Sequence, residues 1–459
     1  MFSEFDSLKQ FLRRTLLLNS EPTPELFVIL CVYFVQGITD SSRLALSFFF
    51  KDDLSLNPAE VEALLGLIYV PWMVKPLYGF ISDTFPLGGY HRRSYLLIVS
   101  LLSGVSWFAL SQFIPSVWAA ILVLLVAAAA AAFSDVIVDA LLVERMRQAT
   151  VNQGSALQSL AWGTQAIGYL LTAYLVGWLL QQFGTHAVFA LQAIGPFLIA
   201  MMVGAISETK VNQPAAEDGV KRPGTTFGSQ LQSSWQVLTQ KQVLLPMLFI
   251  FFWRSLPSAE TGLFYFTTNE LHLSAEFLGR VAFVIGLASL LGIWVYQRFL
   301  LSVSLRWIFI WGTALSVLVG LALLLLVTHT NRAIGIDDQW FLIGDRLVYT
   351  AVGRITWIPV LVFSARLCPV GVEATIFALL TSFWNLSGTL SKELGAILTQ
   401  GLGITATNFE QLPLLIVMTS LSGLITLPFL TALPPDPMET SPPGASNPGA
   451  SNFVPSEEA

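Results

Sequence analysis

Between about residues 25 and 433 the chain is a succession of apolar runs broken by short polar or Pro- and Gly-containing stretches. There are about twelve runs of roughly 20 residues or more. At about 1.5 Å of rise per residue, each is long enough as a helix to cross a hydrocarbon core of roughly 30 Å. None alternates with the period of a strand, and within lipid a helix satisfies its own backbone hydrogen bonds. The pattern predicts helices near 25–49, 60–82, 93–113, 117–141, 155–181, 186–206, 242–268, 275–299, 305–328, 339–363, 373–400 and 411–433. Hydrophobic residues make up 54% of the 459 positions and charged residues 11%, which excludes an ordinary soluble domain. The expected fold class is an all-α polytopic membrane protein, with the lipid bilayer as its solvent.

The few basic residues sort by loop. With the N-terminus inside, Lys9, Arg13, Arg14, Arg92, Arg93, Arg145, Arg147, Lys210, Lys221, Arg222, Lys241, Arg298, Arg306 and Arg366 fall on the cytoplasmic side. The opposite side holds little beyond Lys51, Arg280 and Arg332, so both termini are expected inside. Residues 1–24 lack the apolar run and cleavage site of a leader and read as a cytoplasmic amphipathic segment. The stretch 208–241, rich in Gly, Pro, Ser, Thr and Gln, reads as a cytoplasmic linker between six-helix halves at 25–207 and 242–433. Residues 434–459, with a doubled PGASN run, are too poor in apolar groups to order themselves and are expected to form a disordered cytoplasmic tail. The net charge of -6 argues against nucleic acid as a partner.

The charges inside the spans follow a period of three helices. Span 1 carries Asp40 and Arg43, span 2 Lys75, span 4 Asp135 and Asp139, span 7 Arg254 and Glu260, span 10 Asp345, Arg346 and Arg354, and span 11 Lys392 and Glu393; spans 3, 6, 9 and 12 carry none centrally. A charge facing lipid costs several kcal/mol. The uncharged spans are therefore expected at the periphery and the charged ones around a central cavity.

Asp40 and Arg43 share a helix face, and either pair with each other to pack span 1 or bind substrate. Asp135 and Asp139 also share a face, where two acids repel unless one is protonated or a cation lies between them; Lys75 is the obvious partner. That group reads either as a structural or gating cluster or as a proton-carrying site. Arg254, Arg346, Arg354 and Lys392 give the C-terminal half an excess of fixed positive charge suited to an anion, against the alternative of internal pairing with Asp345, Glu260 or Glu393. Pro257 and Gly262 beside Arg254, and Gly353 and Pro359 beside Arg354, predict that both helices are broken or bent there. Gln158, Trp162 and Gln165 of span 5 and Trp384 and Asn385 of span 11 are suited to stack on and hydrogen-bond a flat heterocycle, with core packing as the plainer reading.

The stretch Leu64–Ile98 combines Pro71-Trp72, Lys75-Pro76, Gly79, Ser82-Asp83, Pro86, Gly89-Tyr90 and Arg92-Arg93-Ser94-Tyr95. Gly79, Asp83, Arg92 and Arg93 resemble the loop between the second and third helices of major facilitator transporters. The fuller string resembles the folate–biopterin transporter family of that superfamily. Asp135-Val136, Val138-Asp139-Ala140 and Val143-Glu144 are similar to that family's fourth helix, and Glu373-Ala374-Thr375 through Phe377–Leu380, Ser382, Asn385 and Ser391 to its eleventh. The resemblance implies two six-helix halves of major facilitator type and a secondary carrier in the cell (inner) membrane that moves folates or pterins by alternating access, with protons. The charges, tryptophans and amides read above offer Arg43, Arg254, Arg346, Arg354, Lys392, Gln165, Trp162, Trp384 and Asn385 as the candidate substrate contacts. The implied proton carriers are Asp40, Asp135, Asp139, Glu260 and Asp345, and the gate is Lys75, Gly79, Asp83, Arg92 and Arg93. The sequence departs from the superfamily pattern in lacking a basic residue after Asp83 and a clear copy of the motif between spans 8 and 9.

Other classes fit less well. A carrier of sugar acids or peptidoglycan fragments shares the same chemistry and stays open. For a membrane enzyme, the four histidines, His91, His186, His272 and His329, fall near loops or helix ends without metal-ligand spacing, and no nucleophile motif occurs. Neither cofactor nor metal is expected. A channel would need a polar ring or filter, which the spans do not repeat. Cys31 and Cys368 make no disulfide framework.

Overall fold

The computed structural model describes residues 23–112, 114, 116–147, 151–208, 210, 241–300, 303–366 and 373–432. The expected N-terminal segment (but for its last two residues), the linker between its ends, and the C-terminal tail lie outside the described residues. Apart from one bridge between Leu87 and Tyr90, the described regular structure is helical. In chain order the helices are α1 (Pro24–Asp53), α2 (Pro58–Thr84), α3 (Arg93–Ser111) and α4 (Val117–Arg147). Then come α5 and α6, the two limbs of Val151–Met202 on either side of Gly184. The second half holds α7 (Lys241–Arg254, resuming as Glu260–Tyr265 and Phe266–Glu270), α8 (Ala275–Leu300), α9 (Leu305–Val327), α10 (Asp338–Arg366), α11 (Glu373–Gly401) and α12 (Leu412–Leu430). Eight of the described stretches are long and apolar enough to cross a membrane, the α5–α6 stretch among them. The remaining three, α7, α10 and α11, carry the charges expected centrally in the spans of the C-terminal half: Arg254, Glu260, Asp345, Arg346, Arg354, Lys392 and Glu393.

Local chemistry explains where the helices begin and break. The Thr23 hydroxyl accepts from the Leu26 amide at 3.2 Å to open α1, with Pro24 in the first turn, where no amide donor is needed. Asn57 and Glu60 form a capping box at the start of α2. Helix α2 is interrupted by a 3₁₀ segment, Val70–Val74, around Pro71, and restarts at Lys75-Pro76. The α5–α6 turn rests on Gly184, whose φ of 75° suits a residue without a Cβ.

Of the two helices expected to be broken or bent beside arginines, the first is broken. α7 stops at Arg254 and resumes at Glu260, with Pro257 in the gap. α10 instead runs without interruption past Gly353, Arg354 and Pro359. Inside a helix a proline removes one amide donor, a loss that neighbouring helices can accommodate without ending the helix.

Helices cross closely at glycines. A Cβ on Gly37 of α1 would collide with the Gln165 carbonyl of α5, and one on Gly168 of α5 with the Phe34 carbonyl of α1. Gly177 of α5 faces Gly279 of α8, so the halves meet there nearly backbone to backbone. The second extensive contact between halves joins α2 to α11. Large apolar side chains of α3, α6, α9 and α12, among them Phe108, Met201, Trp311, Leu318, Ile425 and Phe429, are exposed, as a lipid-facing surface requires.

The peripheral placement holds for α9 and α12, whose described residues do not line the central cavity. α3 and α6 do reach it, through Ser100, Ser103 and Trp107 and through Pro196 and Ile199. The reason is the alanine tract of α4: Ala127, Ala128, Ala130 and Ala131 line the cavity and are too small to close the wall in front of α3.

Gly37→Val is expected to destabilise the protein by about 1–3 kcal/mol through overpacking of the α1–α5 crossing. Gly163→Ala, where nothing lies within 4 Å of the added methyl, is expected to be neutral or slightly stabilising. Thermal unfolding of the purified protein in detergent checks both.

Candidate functional site

A central cavity of about 1150 Å³ lies between the halves, somewhat above the roughly 300–1,000 Å³ typical of ligand pockets. Of the residues singled out from sequence, Asp40, Arg43, Lys75, Asp135, Asp139, Trp162, Gln165, Glu260, Arg346, Arg354, Trp384, Asn385 and Lys392 line it. The two sides differ in charge. The N-terminal half contributes two cations and three acids, the C-terminal half three cations and one acid.

On the N-terminal side Lys75 and Asp135 form a direct ion pair, each side chain 12% exposed. The second Asp135 oxygen accepts from Gln36 Nε2 at 3.0 Å. Tyr33 donates its hydroxyl to Asp139 Oδ1 at 2.6 Å, and the Lys75 ammonium also lies 5.0 Å from the Trp72 ring centroid. The two acids thus have different partners. Further along α1, Asp40 meets Arg43 at 3.4 Å and accepts from Gln165 Nε2 at 3.3 Å, while the Arg43 guanidinium lies 5.1 Å from the Tyr69 ring. Asp40 and Arg43 are a pair, yet both stay exposed to the cavity, so pairing and ligand contact are compatible.

The C-terminal side is built from arginines on tryptophans. Arg354 of α10 lies 5.2 Å from the Trp357 ring and donates from Nε to Ser289 Oγ of α8 at 3.2 Å. Trp357 stands 6.1 Å from Trp384 of α11, with ring planes inclined at 59°. Trp384 in turn carries the Arg254 guanidinium at 5.1 Å. The four form one array, Arg354–Trp357–Trp384–Arg254, with Arg254 behind Trp384 rather than on the cavity wall. Ser289 holds one Arg354 nitrogen and leaves the rest of the guanidinium able to bind an anion.

Two residues depart from their expected settings. Asp345 does not reach the cavity: it is buried on α10, and its nearest cationic partner is Arg346 at 4.0 Å. Asn385 lines the cavity, but its amide donates to the Trp72 carbonyl at 2.9 Å, one of the backbone groups released by the break in α2. The break in α7 is served by the same helix: Ser391 of α11 donates to the Leu256 carbonyl, and its own carbonyl accepts from the Ser258 amide at 3.3 Å.

The α2–α3 turn forms a separate cluster at the opposite end from the α1–α2 turn. Arg92 meets Asp83 at 2.7 Å and Glu144 of α4 at 3.2 Å, and donates to Ser82 Oγ at 2.9 Å. Glu208, from beyond α6, accepts from the backbone amides of His91 at 2.6 Å, Arg92 at 3.1 Å and Arg93 at 2.9 Å, capping the positive end of α3. Arg93 instead lies 5.7 Å from the Tyr90 ring. Gly79 packs toward α4, where an added Cβ would meet Val136 only at an ordinary 3.6 Å.

Sequence reasoning missed Tyr33, Gln36, Tyr69, Trp357 and Glu208. Tyr33 and Gln36 precede Asp40 and Arg43 at helical spacing, and Trp357 follows Arg354 by three positions, so the shared face was a usable signal. Glu208 carried no such signal.

Lys75→Met or Asp135→Asn alone strands the partner charge and is expected to destabilise by about 3–5 kcal/mol. The double variant is expected to lose less than the sum by at least about 1 kcal/mol. A double-mutant cycle by denaturant unfolding in detergent measures this.

The BT1 family profile matches residues 36–442. The chain is 49% identical over 427 residues to the folate-biopterin transporter of Synechocystis sp., covering 93% of this chain and 85% of the relative. It is 29% identical over 411 residues to folate transporter 2 of Plasmodium falciparum, covering 89% and 88%. The fold matches the crystal structure of an auto-inhibited POT family peptide transporter with a TM-score of 0.68 at 14% identity, covering 91% of this chain and 99% of that one. An integral membrane transporter, not an enzyme, is what these relatives share. The chain belongs to the BT1 family, the folate–biopterin transporters.

Proposed function

We propose that the protein carries folates and pterins across the membrane by alternating access, coupled to protons. The observation that carries the reading is the Arg354–Trp357–Trp384–Arg254 array beside the cavity. A folate joins a flat pterin to a dicarboxylate. The tryptophans offer faces for stacking, while Arg354, Arg346 and Lys392 supply the cations for the carboxylates. Trp162, Gln165 and Arg43 face them from the N-terminal half. The relatives' names, folate-biopterin transporter and folate transporter, support the same cargo.

Moving two negative charges into an inside-negative compartment opposes the potential by about 4.6 kcal/mol per 100 mV. Accompanying protons offset this. Asp40, Asp135, Asp139 and Glu260 line the cavity as candidate carriers; Asp345, buried on α10, is a carrier without direct access to it.

With both termini cytoplasmic and the protein in the cell (inner) membrane, the α1–α2 end faces outward. Close contacts between the halves gather there: Lys51 donates to Asn269 at 2.9 Å, Tyr265 to the Leu56 carbonyl, and Phe48 meets Phe264 edge-on at 5.2 Å. We read this as the outward-closed state, with Asp83, Arg92, Glu144 and Glu208 as the latch region of the inner face.

Counterflow in proteoliposomes tests the cargo. Unlabelled folate inside is expected to drive entry of labelled folate, saturably. Trp357→Ala is expected to raise the half-saturating concentration about tenfold, equivalent to about 1.4 kcal/mol, and Arg354→Ala to abolish uptake with normal membrane insertion. No counterflow by correctly folded wild-type protein would sink the folate assignment and turn the search to other organic anions. For the latch, Asp83→Asn is expected to change the transport rate and the accessibility of cysteines placed at the inner face; no change in either refutes it.

A further inference from the structure

The gap left by the alanines of α4 opens a recess within the N-terminal half. Ala127, Ala131, Asp135 and Asp139 follow one another at four-residue spacing on α4, with Ala130 and Ser134 beside them, so all share the face that lines the cavity. Past the alanines the lining passes to Ser100, Ser103 and Trp107 of α3, and Trp107 is packed on Phe189 at 5.8 Å. Ser100 is 2% exposed, Ser103 7% and Ser134 9%. A serine within a helix commonly donates its hydroxyl to the carbonyl one turn back, as Ser106 of α3 does to Leu102 at 2.8 Å. Among the described residues the hydroxyls of Ser100, Ser103 and Ser134 make no hydrogen bond, and Ser100 Oγ is wholly buried.

Buried polar groups nearly always find a partner, so three unmet hydroxyls along one recess point to a ligand that completes them. An acceptor stands with them. Asp139 takes the Tyr33 hydroxyl on Oδ1 at 2.6 Å, and its second oxygen has no partner among the described residues, whereas Asp135 is already held by Lys75 and Gln36. Hydroxyls both donate and accept, and a carboxylate oxygen accepts. Together with small apolar walls and an indole they suit a flat ring whose edge carries N–H donors beside a carbonyl. They do not suit a carboxylate, which Asp139 would repel. The cations for that group, Arg346, Arg354 and Lys392, belong to the other half.

We propose that this recess is the pterin subsite, with the amino and ring N–H groups of the pterin donating toward Asp139 and its carbonyl and ring nitrogens accepting from the serines. This deepens the folate and pterin reading of the cavity and rests on it. A pterin without glutamate gains nothing from the cations of the C-terminal half, and the recess is what holds it. In a folate the pterin occupies the recess, the p-aminobenzoyl ring meets the Trp357 and Trp384 faces, and the glutamate reaches Arg354. The halves thus grip opposite ends of a folate, and a bare pterin is gripped by the N-terminal half alone.

The test is equilibrium binding of labelled folate to the purified full chain in detergent, with unsubstituted pterin and p-aminobenzoyl-glutamate as competitors. Ala131→Leu, which fills the recess, is expected to raise the Kd of pterin and of folate about tenfold and to leave that of p-aminobenzoyl-glutamate within about twofold. A double variant, Ser100→Ala with Ser103→Ala, keeps the space and removes two hydroxyls that the protein itself does not use. It is expected to weaken pterin about threefold to tenfold with thermal unfolding unchanged or raised, whereas serines that served the fold would lower it. Pterin binding equal to wild type in either variant overturns the proposal, as does an equal loss for pterin and p-aminobenzoyl-glutamate, which marks damage to the whole cavity. Wild type that binds folate but no pterin overturns the recess and leaves the cargo reading standing. Wild type that binds none of the three sinks the cargo reading, and the recess with it.

Discussion

The ion pair between Lys75 and Asp135 is the constraint on which the N-terminal half depends. An ammonium group inside a membrane-spanning bundle needs a partner, and Asp135 is a direct one. The pair ties α2 to α4 next to the 3₁₀ break, and Gln36 and Tyr33 then tie both acids to α1. Three helices are thereby held around one charge. The break itself follows from the prolines on either side of Lys75, and the carbonyl it releases at Trp72 is taken up by Asn385 from the other half.

The C-terminal half meets the same problem by different means. Its arginines have few acids beside them, and three of the basic groups named from sequence reach the cavity as cations: Arg346, Arg354 and Lys392. Tryptophan faces and a serine hydroxyl hold Arg254 and Arg354 without neutralising them. A half that satisfies its charges internally thus faces one that keeps its charge available. That division suits a carrier of anions coupled to cations.

Much of this was legible in the chain. Apolar runs of membrane length gave the helices, since lipid leaves few other solutions, and the three-helix period of charges placed α9 and α12 outside. The same logic failed for α3 because it counted charges and not volumes: the alanines of α4 leave a gap that Ser100, Ser103 and Trp107 fill. Pro359 was read as breaking or bending α10, and the helix continues past it without interruption. Most of the polar candidates reached one cavity because polarity in a membrane span is costly and so rarely incidental. What stayed hidden were partners defined by tertiary contact. Trp357 looks like any apolar residue, Asn385 like a ligand-binding amide, and Glu208 like the first residue of a polar linker, until the helices are assembled.

Helix α11 has two attachments six residues apart, and they differ in kind. Ser391 binds the broken backbone of α7 within its own half, whereas Asn385 binds that of α2 across the divide. In mechanical terms α11 has one fixed joint and one that can slip. In the proposed alternating access, motion of one half against the other parts Asn385 from Trp72 while Ser391 stays with Leu256, so the strain falls on the five residues between them. That segment contains Ser387 and Gly388, and a Cβ added at Gly388 would meet the Arg254 guanidinium at 3.5 Å. Under that proposal, a twist in this short stretch would turn the tryptophan–arginine array as the halves move, gearing the orientation of the array to the opening of the cavity.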